Sequence, residues 1–265
     1  MRRGTRFLLL LSVSISCTGL RAEESAAQLQ ACMQANLPPA LRVNQFEMIT
    51  EREGLTETLS GKLFVQQDPT EKALTLQIEA PSHYRGSAYL FLERDGKEQM
   101  FIYLPATGRV RQISGGSMDG AFFGSAFRYS DIRQAMGLMT ETRLNRGADQ
   151  RYDEGPVATL VLQPSEAAAA EGRPPPLSTL LVETEHCVPL HLRVERAGQL
   201  LREFAGKRAD LIEDQGRWHL AKGQMVDHER GARTDVRLGE LRGFESIPRA
   251  VFHRSSFYFA VFTKK

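Results

Sequence analysis

The sequence predicts a mainly β (α+β) fold: a single antiparallel sheet curled into an incomplete barrel, with helices on its concave side. Three observations predict it. Apolar residues recur with a period of two: in Lys72–Ala80, Leu74, Leu76, Ile78 and Ala80 share one face and Thr75, Gln77 and Glu79 the other. That is the signature of a strand with one buried and one wet face. Roughly ten or eleven such short runs follow one another, separated by tight-turn residues. Helical spacing is confined to an N-terminal stretch and one in mid-chain.

Residues 1–22 read as a cleaved signal peptide. Arg2, Arg3 and Arg6 form a basic start, Phe7 to Ile15 an apolar run too short for a normal membrane span, and Leu20-Arg21-Ala22 a cleavage site before Glu23. Cys17 offers a second option, a lipid anchor, against which Ser14-Ile15-Ser16 argues. Removing 1–22 takes four arginines and no acid from 34 basic and 32 acidic residues, leaving 30 against 32. The mature protein then lacks the basic excess of a nucleic-acid binder.

Residues 23–265 read as one domain. Ser25 to Asn36 has Leu29, Cys32 and Met33 at helical spacing, and Asn36 with Pro38-Pro39 stops it. From Leu41 the period changes to two, with Phe46, Met48 and Thr50 on one face. Strands are expected at 59–65, 72–80, 84–92, 99–104 and 109–113, with turns at Asp68-Pro69 and Asp95-Gly96. Ser130 to Leu138 reads as a short helix with Ser130 as N-cap. Gly147–Gly155 reads as a polar connection, and 157–163 as the next strand. Residues 165–176, with four alanines and three prolines, read as an exposed insertion. Strands then resume at 179–184, 189–196, 200–207, 218–225 and 233–241, with hairpin turns at Gly198 and Gln215-Gly216. The aromatic tail, Phe252 and Phe257 to Phe259, is expected to close the structure.

Loss of Cys17 with the signal would leave Cys32 and Cys187, an even count in a disulfide-permissive compartment, and the two are expected to pair. Two separate buried thiols are the alternative. The stretch from Phe101 to Ile132 sets four aromatics, Phe122, Phe123, Phe127 and Tyr129, in a Gly/Ser-rich loop. A solvated Phe forfeits roughly 1.5–3 kcal/mol of burial, so this loop is expected to cover something apolar. It is either a satellite core or a lid hinged by Gly115, Gly116, Gly120 and Gly124.

Three elements of this stretch, Tyr103-Leu-Pro105, Arg109-Val-Arg-x-Ile113 and Phe122-Phe-Gly-Ser-x-Phe-x-Tyr-x-Asp131, resemble the LolA-like outer-membrane lipoprotein-sorting family. The family's counterpart of the last element reads roughly Leu-Gly-Ser/Thr-Asp-Phe-Ser-Tyr-Glu-Asp. Phe123, Gly124, Ser125, Phe127, Tyr129 and Asp131 match it, while the family's Asp, Ser and Glu fall on Ala126, Arg128 and Ser130. The resemblance implies an incomplete β-barrel with helices plugging an apolar hollow. It also implies cargo taken from an inner-membrane transport complex and delivered to the outer membrane.

Enzyme signatures are missing from the sequence. Gly115-Gly116-Ser117-Met118-Asp119 fails as a nucleophile elbow at its last position, and the glycine-rich loop lacks the Gly-Lys-Ser/Thr ending of a phosphate loop. The histidines are scattered. His186 and His191 flank Cys187 without the usual zinc-ligand spacing. The expectation is therefore a monomeric periplasmic carrier without metal or cofactor, taking lipoprotein acyl chains or membrane lipid between the inner and outer membranes. The alternatives are a periplasmic lipid-sensing or regulatory binding module and a lipid-modifying enzyme. Leu74, Leu76, Ile78, Phe101, Tyr103, Phe122, Phe123, Phe127, Tyr129 and Met139 are the expected ligand-binding residues, lining one shared cavity.

Overall fold

The computed structural model describes residues 25–259 except 38, 96, 136–141, 165–175 and 245. The signal segment, Cys17, Met139 and nearly all of the 165–176 insertion lie outside the described residues. Helix α1 (Ala26–Ala35) starts at Ser25 with a reciprocal capping box: the Gln28 N–H donates to Ser25 Oγ at 3.2 Å, and the Ser25 N–H donates to Gln28 Oε1 at 2.8 Å. Six strands follow as a meander: β1 (Ala40–Arg52), β2 (Leu55–Gln67), β3 (Glu71–Ala80), β4 (Ala88–Arg94), β5 (Lys97–Leu104) and β6 (Arg109–Ile113). The aromatic loop and helix α2 (Tyr129–Ala135) lead to β7 (Thr142–Tyr152), β8 (Gly155–Pro164), β9 (Leu177–Glu183), β10 (Pro189–Arg196) and β11 (Gln199–Ala205). The last strands are β12 (Leu211–Asp214), β13 (Arg217–Leu220), β14 (Lys222–Asp227), β15 (Ala232–Leu238) and β16 (Leu241–Gly243).

One 14-stranded antiparallel sheet runs in the order β6-β5-β4-β3-β2-β1-β15-β14-β11-β10-β9-β8-β7, with β16 beside the start of β1; β12 and β13 form a separate hairpin. The sheet is not closed, since β6 and β7 are its two ends. It is strongly curled. Leu76 on β3 and Leu162 on β8 line the same cavity, yet eight strand spacings separate them along the sheet, about 38 Å if it were flat.

The described residues contain more strands than the sequence pattern marks. The stretch 147–155, expected as a polar connection, lies within the β7–β8 hairpin, and β12 and β16 are too short to show a period. Helix α2 begins one residue before Ser130. Its first turn is held by Asp131, whose carboxylate accepts the Arg128 N–H at 2.8 Å, rather than by a Ser130 cap.

The inner face carries two apolar clusters. One joins β1–β5 to the aromatic loop, and the other joins β8–β10 to Leu29 and Met33 of α1. The face expected to be wet is covered. Thr75 and Gln77 are buried because the C-terminal segment straps over them: Thr75 Oγ1 donates to the Val251 carbonyl at 2.8 Å, and Gln77 Nε2 donates to the Phe257 and Phe259 carbonyls at 2.7 and 2.9 Å. Phe252 and Phe257 of that strap fill the outer side of β2–β5.

Candidate functional site

Between the two inner clusters lies a cavity of about 270 Å³. Leu41, Val43, Leu74 and Leu76 wall it on one side, Leu162, Leu180 and Leu192 on the other, and Met33 of α1 with Phe122 and Phe127 closes it further. Period-two alternation places these strand residues, because every second side chain of β1, β3, β8 and β10 points inward. A dry apolar void of roughly 150 Å³ already suffices to take a small apolar molecule.

Of the sequence-predicted site residues, Leu74, Leu76, Phe122 and Phe127 line the cavity. Ile78, Phe123 and Tyr129 belong to the same inner cluster but stand behind its wall. Phe123 packs edge-on against Phe122 at 4.8 Å and Tyr84 at 5.3 Å. Burial pushes the Tyr129 hydroxyl up to about 12. Phe101 and Tyr103 are a correction. They face outward, Phe101 against Phe257 and Tyr103 stacked on Tyr258 at 3.9 Å. On β5 it is Met100, Ile102 and Leu104 that point inward, one residue out of step with the expectation. A shift by one reverses the face.

The aromatic loop is built into the wall and pinned to it, rather than hung over the cavity on glycine hinges. Ser125 Oγ donates to the Phe122 carbonyl at 2.7 Å, and the Ala126 N–H donates to Thr234 Oγ1 at 2.8 Å, which itself meets Thr50 Oγ1 at 2.8 Å. Phe123 takes a positive φ of 44°, a conformation that its packing must enforce. Beyond the loop lies a buried charged layer absent from the expected site. Arg202 pairs with Asp131 at 2.9 Å and Arg128 with Asp227 at 3.0 Å, and Arg128 Nη1 donates to the Asp119 carbonyl at 2.6 Å. Burial raises the Asp131 carboxyl above its usual range, against the pull of Arg202 and the Arg128 N–H. Charges spread over four elements look like solvated faces in a linear sequence, so no pattern marks this layer. Asp131, within the family-like motif, is its one visible member.

At the other end, α1 is held over the cavity. Cys32 and Cys187 are disulfide-bonded with Cα atoms 5.8 Å apart. Asn36 Nδ2 donates to the His186 carbonyl at 2.7 Å, and Asn36 Oδ1 accepts the Trp218 N–H at 2.9 Å. The His186 and Trp218 rings stack at 3.8 Å. Trp218 brings in the β12–β13 hairpin, whose Trp218, His219 and Leu220 also line the cavity. Gly206 at the hairpin's base gives Leu220 room: a Cβ there would lie 2.2 Å from Leu220 Cδ2. These groups suit binding better than bond-making, since the wall is almost wholly hydrocarbon. Among the described residues no group of three His, Cys, Asp or Glu could hold a metal ion. His186 and His191 are engaged elsewhere, His191 with Glu203 at 2.7 Å.

Residues 70–257 match the model of a family described as "Uncharacterized protein"-like. No curated protein matches the chain at a significant level. Among solved structures, the chain is similar to a DUF1329 family protein from Desulfovibrio piger ATCC 29098. That match has 19% identity and a TM-score of 0.74, over 86% of this chain and 95% of the other. It is also similar to a domain named for outer membrane lipoprotein sorting from Vibrio parahaemolyticus, with 19% identity and a TM-score of 0.76 over 88% and 98% of the two chains. A LolA superfamily protein from Nitrosomonas europaea matches with 13% identity and a TM-score of 0.66, over 86% and 97%. The chain is thus a member of the family whose model spans residues 70–257, built on the open-sheet fold of the LolA superfamily.

Proposed function

We propose that this protein is a periplasmic carrier that takes an acyl chain of a lipid or lipoprotein into the cavity and moves it between the inner and outer membranes. The observation that carries the proposal is the cavity itself, an apolar void walled by both halves of one curled sheet, α1 and two loop phenylalanines. An empty void of this kind forfeits dispersion contacts along its lining. An acyl chain restores them and is desolvated at about 0.8 kcal/mol per methylene, so ten buried methylenes offer about 8 kcal/mol before ordering costs. Binding of this kind needs no covalent step. The disulfide fits an oxidising compartment, and the reading is supported by the Vibrio parahaemolyticus domain of the same fold, which is named for outer membrane lipoprotein sorting.

Native mass spectrometry of protein purified from its own cells, together with titration of a fluorescent acyl probe, tests the proposal. Leu76→Trp fills the void from β3. It is expected to weaken probe binding tenfold or more without lowering the unfolding midpoint. A wild type that binds no acyl probe, or an L76W variant that binds it as well as wild type, defeats the carrier reading.

A further inference from the structure

We infer that the free edge of the sheet at β6 is a docking site for an extended acidic segment of another protein, which adds to the sheet as one more strand and sets two alternate carboxylates against Arg109 and Arg111. The site lies apart from the cavity, none of whose lining comes from β4, β5 or β6, so it does not depend on what the cavity holds.

An open sheet has two edges, and here they differ. β7 carries a register shift between Gly147 and Gln150, the kind of bulge that twists an edge strand and ends pairing. Its Arg146 is turned back on its own hairpin, donating to the Gly147 and Thr159 carbonyls at 2.7 and 3.2 Å. β6 instead keeps an unbroken register with β5 over its whole length. Among the described residues only β5 pairs with it, and none of its backbone groups hydrogen-bonds to a loop or cap. Arg109, Arg111 and Gln112 are exposed and Val110 is half-buried. The N–H and C=O groups along its free side are therefore a template for a further strand.

The charge of the occupant follows from the register. Arg109 lies opposite Leu104, Arg111 opposite Ile102 and Ile113 opposite Met100. Leu104, Ile102, Ile113 and Met100 all belong to the inner cluster, so both arginines stand on the concave face, at its rim. Val110, between them, points the other way and packs with Tyr103 and Tyr258 on the outer cluster. Neither arginine has a hydrogen-bond or ion-pair partner among the described residues. Two unpaired guanidiniums about 7 Å apart along one face repel each other and can each take a carboxylate. Side chains directly opposite on an added strand come within about 4.5–5.5 Å. Residues i and i+2 of the occupant are therefore acidic, and the residue between them, beside Val110, is apolar. A second copy of this chain is the wrong occupant, because pairing β6 with its own copy gathers four arginines on one face, and like charges across a strand pair destabilise it.

The test is an NMR titration of the isotope-labelled mature protein with the peptide Thr-Thr-Glu-Val-Glu-Thr-Thr. Amide shifts are expected along β6, with an affinity that falls as salt rises. The permuted peptide Thr-Thr-Glu-Glu-Val-Thr-Thr has the same charge but puts its acids on opposite faces, and is expected to bind about fivefold more weakly or worse. Replacing both arginines, Arg109→Gln with Arg111→Gln, should weaken the first peptide about fivefold, as two exposed charge pairs allow. Both side chains are exposed, so the melting temperature should not move. The charge reversal Arg109→Glu with Arg111→Glu should lose the Glu-Val-Glu peptide and take up its Lys-Val-Lys counterpart. If neither peptide binds, if the shifts fall away from β6, or if the charge reversal does not exchange the preference, the inference is wrong. Equal binding of the two glutamate peptides overturns strand addition in favour of simple anion attraction. Sedimentation with phosphatidylglycerol vesicles that needs Arg109 and Arg111, without peptide binding, assigns the edge to a membrane surface instead. Acyl-probe binding reads the carrier proposal separately, so either can fail alone.

Discussion

Replacing Asp131 by alanine should be among the most damaging single changes on the inner face. Asp131 is 3% exposed, and its carboxylate accepts Arg202 at 2.9 Å and the Arg128 N–H at 2.8 Å. Arg202 is itself 6% exposed, so the alanine variant leaves a guanidinium buried without its counter-charge. Breaking a buried pair on one side costs about 3–5 kcal/mol, and loss of the hydrogen bond at the start of α2 adds about 1 kcal/mol. A loss near 5 kcal/mol corresponds to a fall in melting temperature of about 10–20 °C for a chain of this size. The same variant should release the aromatic loop, since α2 follows directly on Phe127, and so reduce the near-ultraviolet dichroism of Phe122 and Tyr129. Urea unfolding with an unchanged slope is the assay. The paired variant D131A/R202M removes both charges together and should recover all but about 1–2 kcal/mol, because an apolar replacement of a buried pair is often neutral. A cost below about 1 kcal/mol for D131A, or a double variant no more stable than D131A, would refute the view that this pair anchors the loop.

Three further outcomes are expected. Non-reducing peptide mapping should join Cys32 to Cys187, and replacing both by serine should cost on the order of 5 kcal/mol in the chain-entropy model, given the sequence separation of 155; two alkylatable thiols in periplasmic material would contradict it. At the Glu183 carboxyl, burial pushes the pKa up, but the Glu185 and His186 N–H groups and Arg208 hold it on balance below its usual value. Its contribution is therefore complete above about pH 4.3, the unfolded value, and is lost as pH falls through the lower folded value, so Glu183→Gln should flatten the acid limb of the stability profile. N-terminal sequencing of the mature protein should begin at Glu23, and a blocked, diacylated Cys17 would replace the shuttle by a membrane-anchored acceptor.

The local pattern of this chain was legible without its structure wherever a rule acts within a few residues. Leu74, Leu76 and Ile78 share a face because a strand repeats every two residues. Ala197-Gly198 and Gln215-Gly216 turn the chain with positive φ, as hairpin turns require. Helix α1 lies where Leu29, Cys32 and Met33 recur at helical spacing. Cys32 and Cys187 were matched by compartment and count. Tertiary structure decided everything that depends on which distant segment arrives. The outer faces of Thr75 and Gln77 are dry because residues some 180 positions later lie over them. Phe101 faces that strap rather than the cavity, because the phase of β5 is set by pairing with β4 and not by its own aromatic content. The cavity gains Trp218, His219 and Leu220 in its wall because a hairpin between β11 and β14 folds back to Asn36 after α1. Arg128, Asp131, Arg202 and Asp227 became a buried layer only once four separate elements had been brought together, since a charge in a linear sequence carries no record of the counter-charge that will neutralise it.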